Sequence, residues 1–160
     1  MEKSLVIKPE KCTGCRTCEL ICSFKHTQET NPMRSRISVF CFEKVGFSTP
    51  IVCQQCSKPA CMEICPVNAI SKSEETGAMI VDDIKCIKCK MCTVACPFGA
   101  TIYDPVLDVV AKCDLCYGDP QCVKYCPSKA ITYQAADEAH ILRRKSFAEK
   151  FRGFYEEVNK

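Results

Sequence analysis

The run Cys86-Ile87-Lys88-Cys89-Lys90-Met91-Cys92-Thr93-Val94-Ala95-Cys96-Pro97 constrains this chain more than any other stretch. Two residues separate each of the first three cysteines, three precede the fourth, and proline follows it. A tight loop of this kind offers three thiolates to three iron corners of a [4Fe–4S] cube, while its fourth cysteine serves a neighbouring cube. Pro97 restricts Cys96 as well as itself, which turns that cysteine away from its own loop.

The run recurs. Cys12, Cys15, Cys18 and Cys22 keep the same spacing, with Ser23 where proline is expected. Cys53, Cys56, Cys61 and Cys65-Pro66 form a second quartet with a wider central gap shaped by Pro59. Cys86, Cys89, Cys92 and Cys96 are the third, and Cys113, Cys116, Cys122 and Cys126-Pro127 the fourth, with the widest gap. The tails of three quartets rhyme as Cys65-Pro66…Ala69-Ile70, Cys96-Pro97…Ala100-Thr101-Ile102 and Cys126-Pro127…Ala130-Ile131. Self-similarity at this period marks an internal repeat.

Composition agrees with a chain held by metal. The apolar fraction is 47%, but with the 17 cysteines set aside it falls to roughly 36%, against about 45–50% for a globular domain. With no Trp, 8 Phe and 5 Tyr, the ordinary core is thin, and small domains of this kind depend on disulfides or metals. Met1–Ile7 shows no long apolar segment with a cleavage signal, and no apolar run is long enough to span a membrane. A reduced, cytoplasmic location is therefore expected, which favours metal thiolates over disulfides. Zinc also accepts four thiolates. Its motifs, however, present two separated pairs rather than three cysteines in seven residues, so iron–sulfur is the expected chemistry. Four oxidised clusters would carry the formal charge from +3 to roughly −5. The 22 Lys and Arg then read as counter-charge to clusters, not as a nucleic-acid footprint. Lys88 and Lys90 lie within the central run, beside its cluster, and are expected to raise that cluster's potential modestly.

Between the quartets the chain reads as short strands and turns. Residues 3–8 form a strand, a helix begins near Glu19, and residues 35–52 read as a β-hairpin turning at Gly46. Gly14 is expected where backbone amides approach sulfide closely. Cys41, between two phenylalanines, is expected to be a buried, inert thiol, and His26 a structural residue. Ser71–Gly77 reads as a polar turn, Ala78–Asp83 as a strand, and Val106–Ala111 as another. Residues 135–160 lack cysteine and proline. Phe147, Phe151, Phe154, Tyr155 and Val158 share one face there, predicting an amphipathic helix. That helix is expected either to pack on its own ferredoxin core or, through residues 140–160, to dock on another subunit or a second copy of the chain.

On these four ordered motifs the chain resembles the ferredoxin-like iron–sulfur subunits of molybdenum and tungsten oxidoreductases, including those of dimethyl sulfoxide reductase, formate dehydrogenase and formate hydrogenlyase type. The likeness covers about residues 3–134. The compact fourth motif, Lys112–Cys122, looks most like small subunits accompanying tungsten aldehyde oxidoreductases, although Gln55 stands where larger members carry histidine. The resemblance implies an α+β, duplicated bacterial dicluster ferredoxin fold with a β-hairpin insertion and a C-terminal helical arm. Its two pseudo-symmetric lobes would be formed from residues 1–30 with 106–134, and from 50–105. It implies four [4Fe–4S] clusters with exchanged ligands. One would take Cys12, Cys15, Cys18 and Cys126, and its lobe-mate Cys113, Cys116, Cys122 and Cys22. The other lobe would use Cys53, Cys56, Cys61 and Cys96, then Cys86, Cys89, Cys92 and Cys65. The expected function is relay of single electrons between a tungsten- or molybdenum-pterin catalytic subunit and a redox partner, a flavin-containing subunit or a ferredoxin. No catalytic site of its own is expected. A free-standing polyferredoxin, a subunit of a formate or hydrogenase complex, and a redox sensor are the alternatives.

Overall fold

The computed structural model describes residues 3–135 and 141; the expected C-terminal helix and docking arm lie outside the described residues. Among the described residues eight strands and four α-helices alternate with the cysteine loops: β1 (Lys3–Ile7), α1 (Thr17–Thr27), β2 (Ile37–Phe42), β3 (Phe47–Val52), α2 (Ala60–Glu63), β4 (Ile70–Lys72), β5 (Met79–Val81), α3 (Met91–Ala95), β6 (Thr101–Asp104), β7 (Val109–Lys112), α4 (Gln121–Lys124) and β8 (Ile131–Ala135). The mixture of short helices and strands agrees with the α+β expectation. Among the described residues the strands form four antiparallel pairs and no larger sheet, β1 with β8, β2 with β3, β4 with β5 and β6 with β7.

The pairings follow from the repeat. In the β1–β8 pair Ile7 lies opposite Ile131, so the strand before the first quartet meets the strand after the last. The strand after the second quartet pairs likewise with the strand before the third, Ile70 opposite Val81. A two-stranded hairpin is at best marginally stable alone, so each pair must bury a face against something. Leu5, Ile37, Val39, Val52, Leu115 and Ile131 do so in one cluster together with Cys18, Cys22 and Cys122. Ile70, Met79 and Val110 form a second cluster with Cys61 and Cys92. Val110 belongs to the second cluster and Ala78 to the first, so the two cores do not follow the division at residue 106 residue by residue.

Helix length tracks the proline pattern. α2, α3 and α4 run for four or five residues and stop before a Cys-Pro step. Ser23 after Cys22 imposes no such stop, and α1 continues for 11 residues to Thr27. Strand β7 starts later than Val106 because the Asp104 carboxylate accepts from the backbone N–H of Val106 and Leu107, closing a turn there. Ser71 and Lys72, expected in a turn, lie in β4 opposite Ile80 and Met79.

The hairpin forms as its sequence predicts, but it overhangs the core. Phe40, Phe42 and Phe47 are exposed, and so is Cys41, contrary to the expectation of a buried thiol. Flanking phenylalanines are a poor guide here, because beyond Val39 the strand leaves the packed body. Arg34, itself buried, ties the preceding loop across the molecule through ion pairs to Glu29 and to the buried Asp104, the latter at 3.1 Å. Among the described residues no helix is long and apolar enough to cross a membrane.

Candidate metal centres

All 17 cysteines are free thiols. Apart from Cys41 they lie in the loops between the short elements or, as Cys18, Cys22, Cys61, Cys92 and Cys122 do, in the helices themselves, and the fold brings together sulfurs that are remote in sequence. One hollow of about 290 Å³ is lined by Cys12, Cys15, Cys18 and Cys126. A second, of about 320 Å³, is lined by Cys65, Cys86, Cys89 and Cys92. In each, three cysteines of one quartet meet the fourth cysteine of another. Helix contacts produce this arrangement, since α1 packs on α4 and α2 on α3.

The remaining eight sulfurs are grouped by their electrostatics. Burial first, then the thiolates of Cys22, Cys116 and Cys18, push the Cys122 thiol well above its ordinary value. Burial and, next to the charge on Asp114, the Cys22 thiolate raise Cys116. Cys113 is driven up by burial, with Cys122, Cys53 and Cys22 adding to it. Cys53 is raised by burial, opposed by Lys112, with Cys61 and Cys56 as its sulfur neighbours. Burial pushes Cys18 up to about 12, assisted by the charge on Glu19. Such thiols hold their protons in the absence of a cation. A metal centre must displace them, which is why metal affinity depends on pH.

The backbone around these sulfurs is shaped for an anionic guest. Gly14, Arg16, Lys88, Lys90, Gln55 and Leu115 lie in or beside the loops with positive φ, as do Asn68, Gly99 and Lys129 three residues after a Cys-Pro cysteine. Residues in this conformation next to right-handed ones turn successive N–H groups into a concavity, a geometry common at iron–sulfur sites. Two such turns deliver a bond: the Ala69 N–H donates to Cys65 Sγ at 3.2 Å and the Ala100 N–H to Cys96 Sγ at 3.4 Å. At the surface, hydrogen bonds from the Thr17 hydroxyl and backbone hold the Cys15 thiol below its ordinary value. Soft thiolates in sets of four, with amides aimed at sulfur, fit a [4Fe–4S] cluster.

Several residues that sequence reasoning passes over close the gaps. Lys112, only 4% exposed, donates its ammonium to Cys61 Sγ at 3.0 Å. Burial would lower its pKa, but the charges of Cys53, Cys61 and Cys96 outweigh this and hold it above the usual lysine value. Gln55 donates to the Cys113 carbonyl and accepts from the Met79 N–H, both at 2.8 Å, clipping the second quartet loop to the fourth. Glu19, 5% exposed, accepts from the Val39 N–H at 2.6 Å and fixes the hairpin on α1. His26 has partners after all, with Nε2 at 3.5 Å from Asp114 Oδ1 and 4.0 Å from Cys116 Sγ. Lys88, expected to act on the central cluster, is exposed, whereas Lys90, expected to do the same, lines the hollow with Cys86, Cys89 and Cys92. The first pairs with Asp108, and the second lies over the Tyr103 ring at 3.6 Å.

Gly14 owes its place to the hairpin as well as to its loop. Its φ is +69°, and a Cβ there would stand 2.8 Å from Ser48 Oγ and 3.2 Å from Cys41 Sγ. Gly14→Ala should therefore lower the stability of the loaded protein by about 1–2 kcal/mol. The check is the thermal midpoint for loss of the cluster absorbance. Ser48→Gly in the same chain should restore part of the loss, and an unchanged midpoint in the single variant would refute the contact.

Comparison with known proteins places these features in one lineage. Residues 44–136 match the 4Fe-4S dicluster domain and residues 9–25 a 4Fe-4S binding domain. The polyferredoxin-like subunit of aliphatic sulfonate oxidoreductase from Pyrococcus furiosus is 43% identical over 122 residues, covering 76% of this chain and 70% of its own length. The B subunit of anaerobic dimethyl sulfoxide reductase from Escherichia coli is 34% identical over 157 residues, 87% of this chain and 75% of that protein. The putative electron transport protein YsaA of the same species is 35% identical, covering 91% of this chain and 96% of that protein. Among solved structures, the active site complex BamBC of benzoyl coenzyme A reductase with benzoyl-CoA aligns over 99% of this chain and 97% of its own, at 26% identity and a TM-score of 0.50. With the dicluster match spanning more than half of its residues, and relatives of this identity aligned over most of its length, the chain belongs to the 4Fe-4S dicluster family of iron–sulfur subunits.

Proposed function

We propose that this chain is an electron-transfer subunit holding four [4Fe–4S] clusters, each bound by three cysteines of one motif and one of another. The sets are Cys12, Cys15, Cys18 with Cys126; Cys113, Cys116, Cys122 with Cys22; Cys53, Cys56, Cys61 with Cys96; and Cys86, Cys89, Cys92 with Cys65. The observation that carries this reading is the lining of the two hollows, where Cys126 joins the first motif and Cys65 the third. Clusters of this type take up and return one electron at a time with little rearrangement.

On this reading the four sets form a line. Burial dominates the rise of Cys122, Cys113 and Cys92, and smaller contributions come across the sets from Cys18 to Cys122, from Cys53 to Cys113 and from Cys61 to Cys92. That sequence runs from the first set through the fourth-motif and second-motif sets to the third. The outer sets reach the surface at Cys15 and Cys89, both exposed, whereas Cys53, Cys61 and Cys122 in the inner ones are buried. Two sets that each carry an exposed cysteine, joined by two that carry none, suit passage between two partners. The buried sulfurs exclude water from the middle, and the exposed ones allow close approach of a donor and an acceptor. The two halves, β1 and α1 with α4 and β8 on one side and α2 to α3 on the other, are the duplicated lobes of this reading.

The partners follow by likeness to the relatives. A tungsten- or molybdenum-pterin catalytic subunit is the first, and a flavin-containing subunit or ferredoxin the second. The sequence resemblance favours an aldehyde oxidoreductase, while the Pyrococcus relative is named for aliphatic sulfonates, so the substrate belongs to the partner and not to this chain. Anaerobically purified protein should contain about sixteen irons per chain, four per Cys₄-held cube, measured by metal analysis. A content nearer eight would reduce the chain to a single dicluster unit. Size-exclusion of native extract, with molybdenum and tungsten assayed in the fractions, tests the complex against a free-standing polyferredoxin.

A further inference from the structure

We propose that Lys112 sets the reduction potential of the inner site formed by Cys53, Cys56, Cys61 and Cys96, making it the place in the chain where an added electron rests. The inference depends on the reading of that set as a [4Fe–4S] site and extends it.

Lys112 is the last residue of β7, and Cys113, the next residue, belongs to the adjoining inner set. Its side chain turns to the other side of the junction and donates to Cys61 Sγ at 3.0 Å. The ammonium thus sits where the two inner sets meet. Burying an isolated ammonium costs several kcal/mol, and a close, hydrogen-bonded negative partner is what makes it tolerable. Among the described residues no carboxylate pairs with Lys112. The Cys61 sulfur is the acceptor that faces it.

The same geometry discriminates between oxidation states. Each added electron makes the sulfur-bound centre more negative, and a fixed cation at hydrogen-bond distance stabilises that form more than the oxidised one. The side chain is 4% exposed, so salt screens the attraction weakly. Hydrogen bonds to cluster sulfurs act in the same direction. Lys88 offers the contrast. Its side chain is 41% exposed and already paired with Asp108, so water and a carboxylate blunt its charge. A lysine whose role is only to fill space would show no such preference for the reduced form.

Redox titration of the intact, loaded protein followed by electron paramagnetic resonance decides the matter, comparing the native chain with Lys112→Met and Lys112→Arg. Lys112→Met should weaken reduction of one centre at least about tenfold, a downward shift of about 59 mV for a one-electron couple. The other three midpoints should hold, and Lys112→Arg should restore most of the shift. Four intact clusters with no midpoint moved in Lys112→Met would overturn the role of Lys112 alone. A native chain without iron–sulfur signals would overturn the parent reading and this one with it. Should Lys112→Met fail to hold its iron, native protein labelled with [15N]lysine supplies the answer. Pulsed resonance should then detect a lysine nitrogen coupled to one reduced centre, a coupling that disappears in Lys112→Arg. Absence of that coupling in the native chain would equally overturn the proposal.

Discussion

Stripped of iron under anaerobic conditions, the chain should unfold as a unit rather than persist as an empty scaffold. Far-ultraviolet circular dichroism followed alongside iron release should show helix and strand signals falling in step with the metal. The reason lies in what the interior is made of. Among the described residues no Phe or Tyr belongs to the buried core, and Cys18, Cys22, Cys53, Cys61, Cys92 and Cys122 occupy core positions instead. The four strand pairs share no common sheet, so backbone hydrogen bonding cannot carry order from one to the next. What joins them across the chain is the packing of these cysteine-lined clusters, with single side-chain links such as Gln55 and Glu19.

Magnitudes point the same way. A domain of this size has a net stability of about 5–15 kcal/mol, and one structural zinc site in a small peptide contributes about 10–16 kcal/mol. Even a single iron–sulfur site of that order would equal the whole net stability, and four would exceed it. Buried ion pairs such as Arg34–Asp104 cannot compensate, because their Coulomb gain is largely offset by desolvation. Retention of the full dichroism spectrum after complete iron loss would contradict this account, and would mean that the short hairpins hold one another without metal.

Much of this is legible from residue spacing, and the exceptions share a cause. The strands at Lys3–Ile7 and Met79–Val81, the helix at the first quartet and the hairpin turning at Gly46 all announce themselves through local pattern. Lys112 does not, since a lysine ending a strand ordinarily reads as solvated. Only the sulfurs brought beside it from Cys53, Cys61 and Cys96 make its burial tolerable, and those contacts are non-local. Glu19 is hidden for the same reason, its partner being the Val39 N–H on the hairpin. The left-handed conformations of Arg16, Gln55, Lys88, Lys90 and Lys129 are invisible because glycine is the residue that signals them. Cys41 misleads in the opposite direction. Its apolar neighbours read as core, although strand alternation cannot tell how far a hairpin extends past the body that supports it.

Replacing Cys96 by alanine should abolish the same cluster signal as replacing Cys56, and not the one lost with Cys89, although Cys89 is much nearer in sequence. About four of about sixteen irons should go in each variant, with the identity of the lost centre read from the reduced-state resonance spectrum. Cys96 ends α3 in an extended conformation, φ −75° and ψ 112°, and Pro97 fixes that departure. Lys112 registers the result, since Cys96 acts on its ammonium together with Cys53 and Cys61. Cys65 makes the reciprocal move, lining a hollow with Cys86, Cys89 and Cys92, so Cys65→Ala should match Cys89→Ala. Were each motif to hold its own cluster, the pairing would invert, with Cys96→Ala matching Cys89→Ala and Cys65→Ala matching Cys56→Ala. The exchange also predicts a cost beyond the missing iron. A ligand given to another motif's cluster cross-links two loops, about twenty to forty residues apart for Cys65 and Cys96 and about a hundred for Cys22 and Cys126, so its loss lengthens the loop that remains to be closed. Cys126, crossing from the last motif to the first, closes the longest span of the four. Of the fourth-position variants, Cys126→Ala should therefore show the largest fall in thermal midpoint, and an equal fall for Cys65→Ala and Cys96→Ala would argue that span plays no part.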